Sequence, residues 1–435
     1  MHSIPLPTTQ VVEQRGGPTD PSHDERLRRG IIDTDVNRGV AWLLVTLFVV
    51  GITGVPLSQA YLEHREGEES PLLDLFRRKP TAANLRQFEK GIEDATNAKA
   101  YLQPRVQLQL TRFGRVGNKL ALVGRAGWLY YKPGVLHVSG PGFLDHDLQT
   151  SREKDALDSG EAGIVADPRP AILAFHAALA KRGIRLVLMP LPDKAAIVPE
   201  PLHGRGSPDV RPQNEDFAAF VAGLRNAGVA VFDARERLPG DTAPLYLEQD
   251  THWTPSFMEH TSRELARYLS ALVPALAAPA EPKPLHVVER PMARVGDIVD
   301  MLKLTDEQTV FQPQSVLVHE VRDEEDNPWE PAEEADVLLL GDSFTNIFSL
   351  EGMGWGAASG LAPQLALALG RPVDVIAQND SGAFATRQAL ARELAAGQDR
   401  LRGKRFVVWE FASRELSVGD WKLVDWSAPA APEVK

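Results

Sequence analysis

The sequence predicts an α/β protein, a parallel sheet flanked by helices, with an N-terminal transmembrane helix. Strand-like and helix-like segments alternate from residue 168 onward, and one apolar run without charges lies near the N-terminus. Parallel sheets covered on both faces present their functional groups at the carboxyl ends of the strands. Candidate functional residues are therefore expected where apolar strands end.

The apolar run covers 40–57 and is near the lower limit for a bilayer-spanning helix, which takes roughly 20 residues. Nearby arginines are more numerous before the run than after it: Arg26, Arg28, Arg29 and Arg38 against Arg65 and Arg77. This excess predicts a cytoplasmic N-terminus and an exported remainder. A buried core helix and a signal peptide cleaved near Ala60 are the alternatives. The long polar leader favours an uncleaved anchor.

The chain is predicted to consist of five segments. They are a disordered cytoplasmic tail over 1–39, the transmembrane anchor over 40–57, a helical stalk over 58–120, a globular domain over 121–426 and a flexible tail over 427–435. An aromatic stretch at 124–131 marks the start of the domain. Proline and charge interrupt the alternation at 275–334, which is predicted to be an insertion or an irregular lobe.

The individual elements follow from short apolar runs for strands and longer helix-forming segments between them. Helices are predicted over 81–101, 168–182, 213–226, 255–272, 361–369 and 386–396, and strands over 184–189, 229–232, 335–340, 373–377 and 406–409. The mixed charge of the first helix is typical of a stalk or docking helix.

The composition excludes several classes of function. Of the 435 residues, 43% are hydrophobic and 24% are charged, as in an ordinary globular protein, so a sizeable core is possible. The formal net charge of -12 argues against a general nucleic-acid binder. The sequence has no cysteine, which excludes disulfides, thiolate catalysis and cysteine metal sites.

Ser343 follows the apolar strand predicted over 335–340 and the glycine at 341. A tight turn at Gly341 would lift the serine hydroxyl out of the sheet and turn backbone N–H groups outward, where they bind an oxyanion. The alternative is that the Gly-Asp-Ser string only caps the next helix. Asp342 is expected to brace the loop rather than to react.

Asp250 and His252 are two residues apart, which places both side chains on one face of an extended segment. The carboxylate would then accept the imidazole Nδ1–H bond and leave Nε2 free for a serine. The alternatives are a structural histidine and half of a metal site. A metal site needs a third ligand, and none is recognisable from the spacing, so neither a metal nor a cofactor is predicted. With Ser343 these residues form a candidate Ser-His-Asp acyl-transfer site.

A family resemblance rests on five stretches between about residues 120 and 420. They are Gly127-Trp128-Leu129-Tyr130, Leu188-Met189-Pro190 with Pro192-Asp193-Lys194, Asp250-Thr251-His252-Trp253, Gly341-Asp342-Ser343-Phe344, and Trp409-Glu410-Phe411 with Arg414. With these, the sequence resembles the alginate O-acetyltransferases of the AlgJ and AlgX type, a branch of the SGNH-hydrolase-like superfamily.

This resemblance implies an SGNH-hydrolase-like fold and an enzyme anchored in the inner membrane with its catalytic domain in the periplasm. Such an enzyme would move acetyl groups, through an acetyl-serine, onto hydroxyls of a secreted exopolysaccharide. The partners implied are the polysaccharide acceptor and an integral-membrane O-acyltransferase that supplies acetyl. No nucleic-acid partner is expected. A carbohydrate acetyl-esterase and a non-catalytic polysaccharide-binding or scaffold protein are the alternatives.

The superfamily also binds the oxyanion with a glycine and an asparagine. Asp380-Ser381-Gly382 resembles the glycine block, which makes Gly382 a candidate donor. The next strand ends in Trp409-Glu410 where the asparagine block is expected, so the second donor departs from the pattern. Its candidate replacements are Asn379, Arg387 and Arg414. The candidates for substrate binding are Lys194, Trp253, Thr254 and Phe344.

Overall fold

A computed structural model of the chain describes residues 37–67, 70, 72, 77, 79–159, 163–203, 211–240, 243–273, 284–379 and 382–426. The predicted N-terminal tail, except for residues 37–39, and the predicted tail over 427–435 lie outside the described residues. The chain divides into two compact units, residues 1–101 and 102–435.

The first unit contains the long apolar helix α1 (Arg38–Glu66), helix α2 (Ala82–Ala95) and the start of α3 (Asn97–Arg112). Helix α1 begins where the Asn37 side chain accepts a hydrogen bond from the Gly39 N–H, and it ends at Gly67 in a left-handed conformation. It is long and apolar enough to cross a membrane. The predicted helix over 81–101 is two helices, because the chain is extended at Thr96.

The second unit alternates strands and helices. In order, its elements are β1 (Ala121–Val123), β2 (Leu129–Tyr131), α4 (Lys132–Ser139), α5 (His146–Asp158), α6 (Pro168–Ala180), β3 (Arg185–Leu191), α7 (Lys194–Ile197), α8 (Glu200–His203), α9 (Phe217–Asn226), β4 (Ala230–Val231), α10 (Pro255–Leu272), β5 (His286–Arg294), α11 (Asp297–Leu302), β6 (Gln314–Arg322), β7 (Val337–Gly341), α12 (Ser343–Asn346), α13 (Leu361–Leu369), β8 (Asp374–Ala377), α14 (Gly382–Ala395), β9 (Phe406–Ala412) and α15 (Glu415–Val418).

Five parallel strands form the central sheet in the order β4-β3-β9-β7-β8. Successive side chains of a strand face opposite sides of the sheet, so each strand contributes side chains to two hydrophobic cores, one on each face. In β7, Val337 and Leu339 join the core that contains α10 and α13, and Leu338 and Leu340 join the core that contains α6, α9 and α14. The predicted parallel sheet flanked by helices is confirmed.

The segment predicted as an insertion or irregular lobe has regular structure. Strands β5 and β6 pair antiparallel over nine residue pairs, from His286 with Arg322 to Arg294 with Gln314. The short helix α11 follows β5, and its apolar side packs with strands β1 and β2 in a third small core. This lobe therefore brings α11 against the sheet domain near the carboxyl ends of the strands.

Candidate active site

The nucleophile turn, residues 341–345, is named after the candidate nucleophile Ser343 and begins at the end of strand β7. Gly341 is required there, because a Cβ atom at this position would lie 2.1 Å from the Thr345 hydroxyl oxygen. Asp342 caps the next helix: its Oδ1 accepts a hydrogen bond of 2.8 Å from the Phe344 N–H. Its Oδ2 accepts a bond of 2.8 Å from the Ala412 N–H at the end of β9. Asp342 therefore braces the turn between two strands, as predicted.

The histidine loop, residues 245–254, is a narrow hairpin. Leu247 N–H donates to the His252 carbonyl at 3.1 Å, and Thr254 N–H donates to the Leu245 carbonyl at 3.0 Å. The buried amine of Lys194 donates to the carbonyls of Glu248 and Leu129 at 3.2 and 2.7 Å. These bonds fix the tip of the hairpin, where Asp250 and His252 lie.

A continuous chain of hydrogen bonds joins the two regions. His252 Nδ1 lies 2.6 Å from Asp250 Oδ1, and His252 Nε2 lies 2.8 Å from Ser343 Oγ. The Phe344 ring contacts the imidazole edge to face with 4.8 Å between ring centroids, which restricts its rotation. All three polar groups are buried, and Ser343 retains 9% of its surface. The arrangement lets the imidazole take a proton from the serine hydroxyl.

Asp250 is held by three parts of the chain. Its Oδ2 accepts hydrogen bonds of 3.0 Å from the Asp297 N–H and the Trp355 indole N–H. Gly296 makes this possible, because a Cβ atom there would lie 2.2 Å from the Gln249 carbonyl oxygen and 2.5 Å from Asp250 N. The backbone of the lobe at Gly296 therefore packs directly against the backbone of the histidine loop at Gln249 and Asp250.

The Asp297 side chain adds a second carboxyl group to this network. Its Oδ1 accepts a bond of 2.7 Å from the Thr251 N–H, and its Oδ2 lies 3.8 Å from His252 Nδ1. Burial and the charge of Asp250 raise the pKa of Asp297 to about 6. This carboxyl group would therefore change its charge in the range in which histidines titrate.

The pKa values of the dyad follow from its contacts. Burial alone would raise the pKa of Asp250, but the hydrogen bond and charge of His252 and the two N–H donors lower it below its usual range. Burial alone would lower the pKa of His252, but the hydrogen bond and charge of Asp250, with the charge of Asp297, raise it. The Asp250 carboxylate is thus placed to stabilise the positive form of the His252 imidazole.

Asp250, His252 and Asp297 also have the composition of a metal site, with one ligand atom each within 4.8 Å of the others. Sequence reasoning missed the third member because it lies in the lobe. Both oxygens of Asp250 accept bonds from N–H groups, and His252 Nδ1 lies against one of them. A cation would have to displace these donors, so the donor set fits a carboxylate–imidazole pair better than a metal site.

Residues 121–413 match the family described as "SGNH hydrolase-like domain, acetyltransferase AlgX". The chain belongs to this family. The matched residues include all five strands of the central sheet and the three hydrogen-bonded residues Asp250, His252 and Ser343.

Two curated relatives match the chain over shorter stretches than the family does. A probable alginate O-acetylase AlgJ of Pseudomonas syringae pv. tomato is 30% identical over 165 residues, which are 37% of this chain and 40% of the relative. The AlgJ of Pseudomonas aeruginosa, described in the same words, is 29% identical over 136 residues, 30% of this chain and 34% of the relative. The chain therefore spans well under half the length of these curated relatives.

Two solved structures resemble the chain at low identity. The O-acetyltransferase domain of Pseudomonas putida AlgJ has a TM-score of 0.48 and 20% identity, covering 69% of this chain and 93% of that one. AlgX of Pseudomonas aeruginosa has a TM-score of 0.46 and 16% identity, covering 68% of this chain and 66% of that one.

Three of the predicted substrate-binding residues make structural contacts. Trp253 and Phe344 are fully buried in the core and pack edge to face against each other. Thr254 is the N-cap of α10, and its hydroxyl donates to the Pro244 carbonyl at 2.7 Å. These residues are neighbours of the candidate reactive groups along the chain, and the fold buries Trp253 and Phe344 in the core.

Lys194 and Arg414 lie close to the site. Lys194 lines a cleft of about 200 Å³ with Tyr130, Tyr131, Gly134, Asp193, Ala195 and Thr251, and burial lowers its pKa to about 7. Arg414 donates to Asp193 at 2.9 Å, and its guanidinium lies 5.1 Å from the Tyr131 ring and 5.8 Å from the Phe344 ring. Arg414 is thus next to the nucleophile turn with its charge balanced by Asp193.

The other oxyanion candidates differ in position. Arg387 is fully buried between Trp409 and Trp421 and donates to the Ala383 and Lys422 carbonyls, so its guanidinium lies in the core and its role as an oxyanion donor stays a prediction. Asn379 accepts a bond of 2.8 Å from the Asn346 amide, at the end of the helix that Ser343 begins. Gly382 is the first residue of α14, and its neighbours Asp380 and Ser381 lie outside the described residues.

Sequence reasoning also missed Trp355 and Glu410. Trp355 lies in a loop without any motif, and only the fold brings its indole to Asp250. Glu410 was noted as a departure from the asparagine pattern, and its Oε2 accepts bonds from the Asp342 N–H and the Thr345 hydroxyl at 2.9 and 2.8 Å. An acidic residue inside an apolar strand was the signal that could have found it.

Proposed function

We propose that this protein is an O-acetyltransferase that acetylates hydroxyls of a secreted, alginate-like exopolysaccharide through an acetyl-serine. The observation that carries the proposal is the hydrogen-bonded chain Asp250–His252–Ser343 at the carboxyl end of strand β7. Membership of the AlgX family and the relatives named as probable alginate O-acetylases support the acyl group and the acceptor. The catalytic domain would be the segment predicted over 121–426.

In the first step Ser343 Oγ attacks the carbonyl carbon of an acetyl donor and gives its proton to His252 Nε2. The bond between the acetyl carbon and the leaving oxygen then breaks, and the leaving group takes the proton from His252. Asp250 holds the imidazole in the correct tautomer and stabilises its positive form. The product of this step is an acetyl ester on Ser343.

The developing oxyanion would be bound by backbone and side-chain donors. Ser343 is the first residue of α12, so its N–H has no acceptor within the helix and is free to donate. Gly382 N–H, the Asn379 amide and the Arg414 guanidinium are the further candidates. One such donor typically contributes roughly 10²–10³-fold in rate.

In the second step a sugar hydroxyl attacks the acetyl-serine. It gives its proton to His252 Nε2, the ester bond to Ser343 breaks, and Ser343 Oγ recovers the proton. Water in place of the sugar would make the protein an esterase with the same residues. Two factors decide between transfer to a sugar and hydrolysis: binding of the acceptor next to the site and exclusion of water from it. Lys194 is the candidate residue for acceptor binding.

The proposed location is the inner membrane, with a single anchor and the catalytic domain in the periplasm. Helix α1 and the excess of arginine before it support this orientation. An acetyl donor made in the cytoplasm has to cross the membrane before Ser343 can use it. The proposed partner is therefore an integral-membrane O-acyltransferase that delivers acetyl.

The test incubates the full chain in detergent with p-nitrophenyl acetate, with and without unacetylated alginate oligosaccharides. The expected results are release of p-nitrophenol, an acetyl adduct on the peptide that contains Ser343, and acetylated oligosaccharide in the mass spectrum. Ser343→Ala is expected to remove all three, and Ser315→Ala, at an exposed position of β6, is expected to change none. Acetate release without acetylated sugar would indicate an esterase. Sugar binding without either product would indicate a binding protein.

A further inference from the structure

The nucleophile turn rests on two neighbouring carboxyl groups in the protein interior. Glu410 lies in the central strand β9 and has no exposed surface, and Asp342 is 4% exposed. The strand neighbours Trp409 and Phe411 lie in one core, and Val408 and Ala412 lie in the other. In the part of the chain that the structure describes, neither carboxyl group has a lysine, arginine or histidine within ion-pair distance.

The hydrogen bonds of the two groups are unequal. Asp342 accepts an N–H bond on each oxygen, from Phe344 and Ala412. Glu410 accepts both of its bonds on Oε2, from the Asp342 N–H and the Thr345 hydroxyl. Among the described residues, Glu410 Oε1 is buried without a donor. A buried carboxylate oxygen without a donor is costly, whereas a protonated one can itself donate to the neighbouring carboxylate.

We propose that Glu410 is a neutral carboxylic acid that donates its proton to the Asp342 carboxylate and so positions the turn that carries Ser343. This inference rests on the proposed role of Ser343 as the nucleophile. Glu410 touches neither substrate nor the reacting atoms and acts through Asp342 and Thr345. The proton stays between the two carboxyl groups throughout the reaction.

The charged surroundings agree with this assignment. Burial and the Asp342 charge raise the pKa of Glu410 well above its usual value. The Tyr246 hydroxyl on the histidine loop also faces Glu410. The charges of Arg414 and Glu415 face the Asp342 member of the pair. Arg414 donates to Asp193 rather than to either member of the pair, and Asp342 is the charged group that raises the pKa of Glu410.

The proposal predicts how stability depends on pH. The unfolded chain releases the Glu410 proton near the usual glutamate pKa, and the folded chain keeps it to a much higher pH. The folded state then binds one proton more than the unfolded state, so this group lowers stability as the pH rises. Glu410→Gln replaces the acid by a neutral group of the same shape, whose amide can donate to Asp342, and removes this dependence.

The experiment measures the thermal midpoint of the full chain in detergent from pH 6 to 9. The midpoint of Glu410→Gln minus that of the unsubstituted chain is expected to grow by about 2 °C per pH unit. The matched control is Glu320→Gln, a buried glutamate with Arg290 and Arg322 at 3.0 and 2.6 Å, for which the difference is expected to stay constant. A constant difference for Glu410→Gln, or failure of this variant to fold, would overturn the proposal.

The rate of Ser343 acetylation tests whether Glu410 positions the nucleophile turn. With p-nitrophenyl acetate, Glu410→Gln is expected to keep the acetylation rate of Ser343 within about threefold, and Glu410→Leu, which removes both acceptors, to lose at least tenfold. Equal losses in the two variants would contradict the shared proton. Because melting does not require catalysis, the pH experiment decides the state of Glu410 even if the unsubstituted chain transfers no acetyl group.

Discussion

Two carboxyl groups lie next to each other at the histidine loop, Asp250 with Asp297, and two at the nucleophile turn, Asp342 with Glu410, and the two pairs differ. Asp250 accepts bonds from four N–H groups, namely His252 N–H and Nδ1–H, Asp297 N–H and Trp355 indole N–H, and its pKa is lowered. Glu410 has two donors on one oxygen and a carboxylate beside it, and its pKa is raised. The number of donors, more than burial itself, decides which buried carboxyl group stays charged.

The difference in charge suits what the proposed mechanism requires of His252 and Ser343. The histidine needs a charged partner, because its own positive form appears and disappears during proton transfer. The serine needs a rigid support whose charge does not change.

Asp250→Asn is expected to lower the rate of acetyl transfer on the order of 10⁴-fold, because an amide beside Nδ1 favours the wrong imidazole tautomer. The measurement is steady-state release of p-nitrophenol by the full chain, with protein folding checked by thermal melting. A loss of less than tenfold would show that the imidazole is oriented by other groups.

Gly296→Ala is expected to separate the lobe from the histidine loop, because the new Cβ would overlap the backbone at Gln249 and Asp250. We expect a loss of stability of about 1–3 kcal/mol and a loss of rate of about 10²-fold from displacement of Asp250. Gly240→Ala, where nothing lies within 4 Å of the new atom, is the matched control. Equal effects of the two variants would exclude a role for the close approach.

Asp297→Asn is expected to shift the acid limb of the pH–rate profile to lower pH. An ionised Asp297 raises the pKa of His252, so removing its charge lowers the pH at which the imidazole becomes protonated and inactive. The amide still accepts the Thr251 N–H bond, and the backbone N–H still donates to Asp250. The profile of kcat/KM with p-nitrophenyl acetate is the measurement, and Asp306→Asn, at an exposed position of the lobe, is the control. A lower rate with an unmoved midpoint would indicate a purely structural carboxylate.

Thr254→Ala is expected to have the smallest effect. Loss of the helix cap should cost about 1 kcal/mol of stability, equally at every pH, because no carboxyl group of either pair is involved. Thermal melting at pH 6 and pH 9 measures it, and Thr254→Ser should restore the cap. A change of activity beyond about twofold would instead support the original prediction that Thr254 binds substrate.

Much of the architecture was predictable because local patterns of apolar and polar residues determine where its strands and helices form. Helices α10 and α13 have the predicted bounds, and the five strands of the sheet lie at the predicted apolar runs. Strand β9 was predicted to end at Trp409 but continues to Ala412, since the acidic residue at 410 interrupts the apolar pattern without ending the strand. Helices α4 and α5 were missed, because their sequences have little apolar periodicity.

The sequence by itself determined the parallel sheet, the apolar helix α1 and the three groups of the candidate site. The sheet and the helix depend on local hydrophobic patterns. The three groups lie in two short strings, around His252 and Ser343, whose chemistry can be recognised from the sequence. Only the tertiary structure decided the surroundings: Asp297 and Trp355 on Asp250, Glu410 under the nucleophile turn, and Trp253 and Phe344 in the core. The physical reason is that the charge and orientation of a buried group are set by donors that lie near it in space but far from it along the chain.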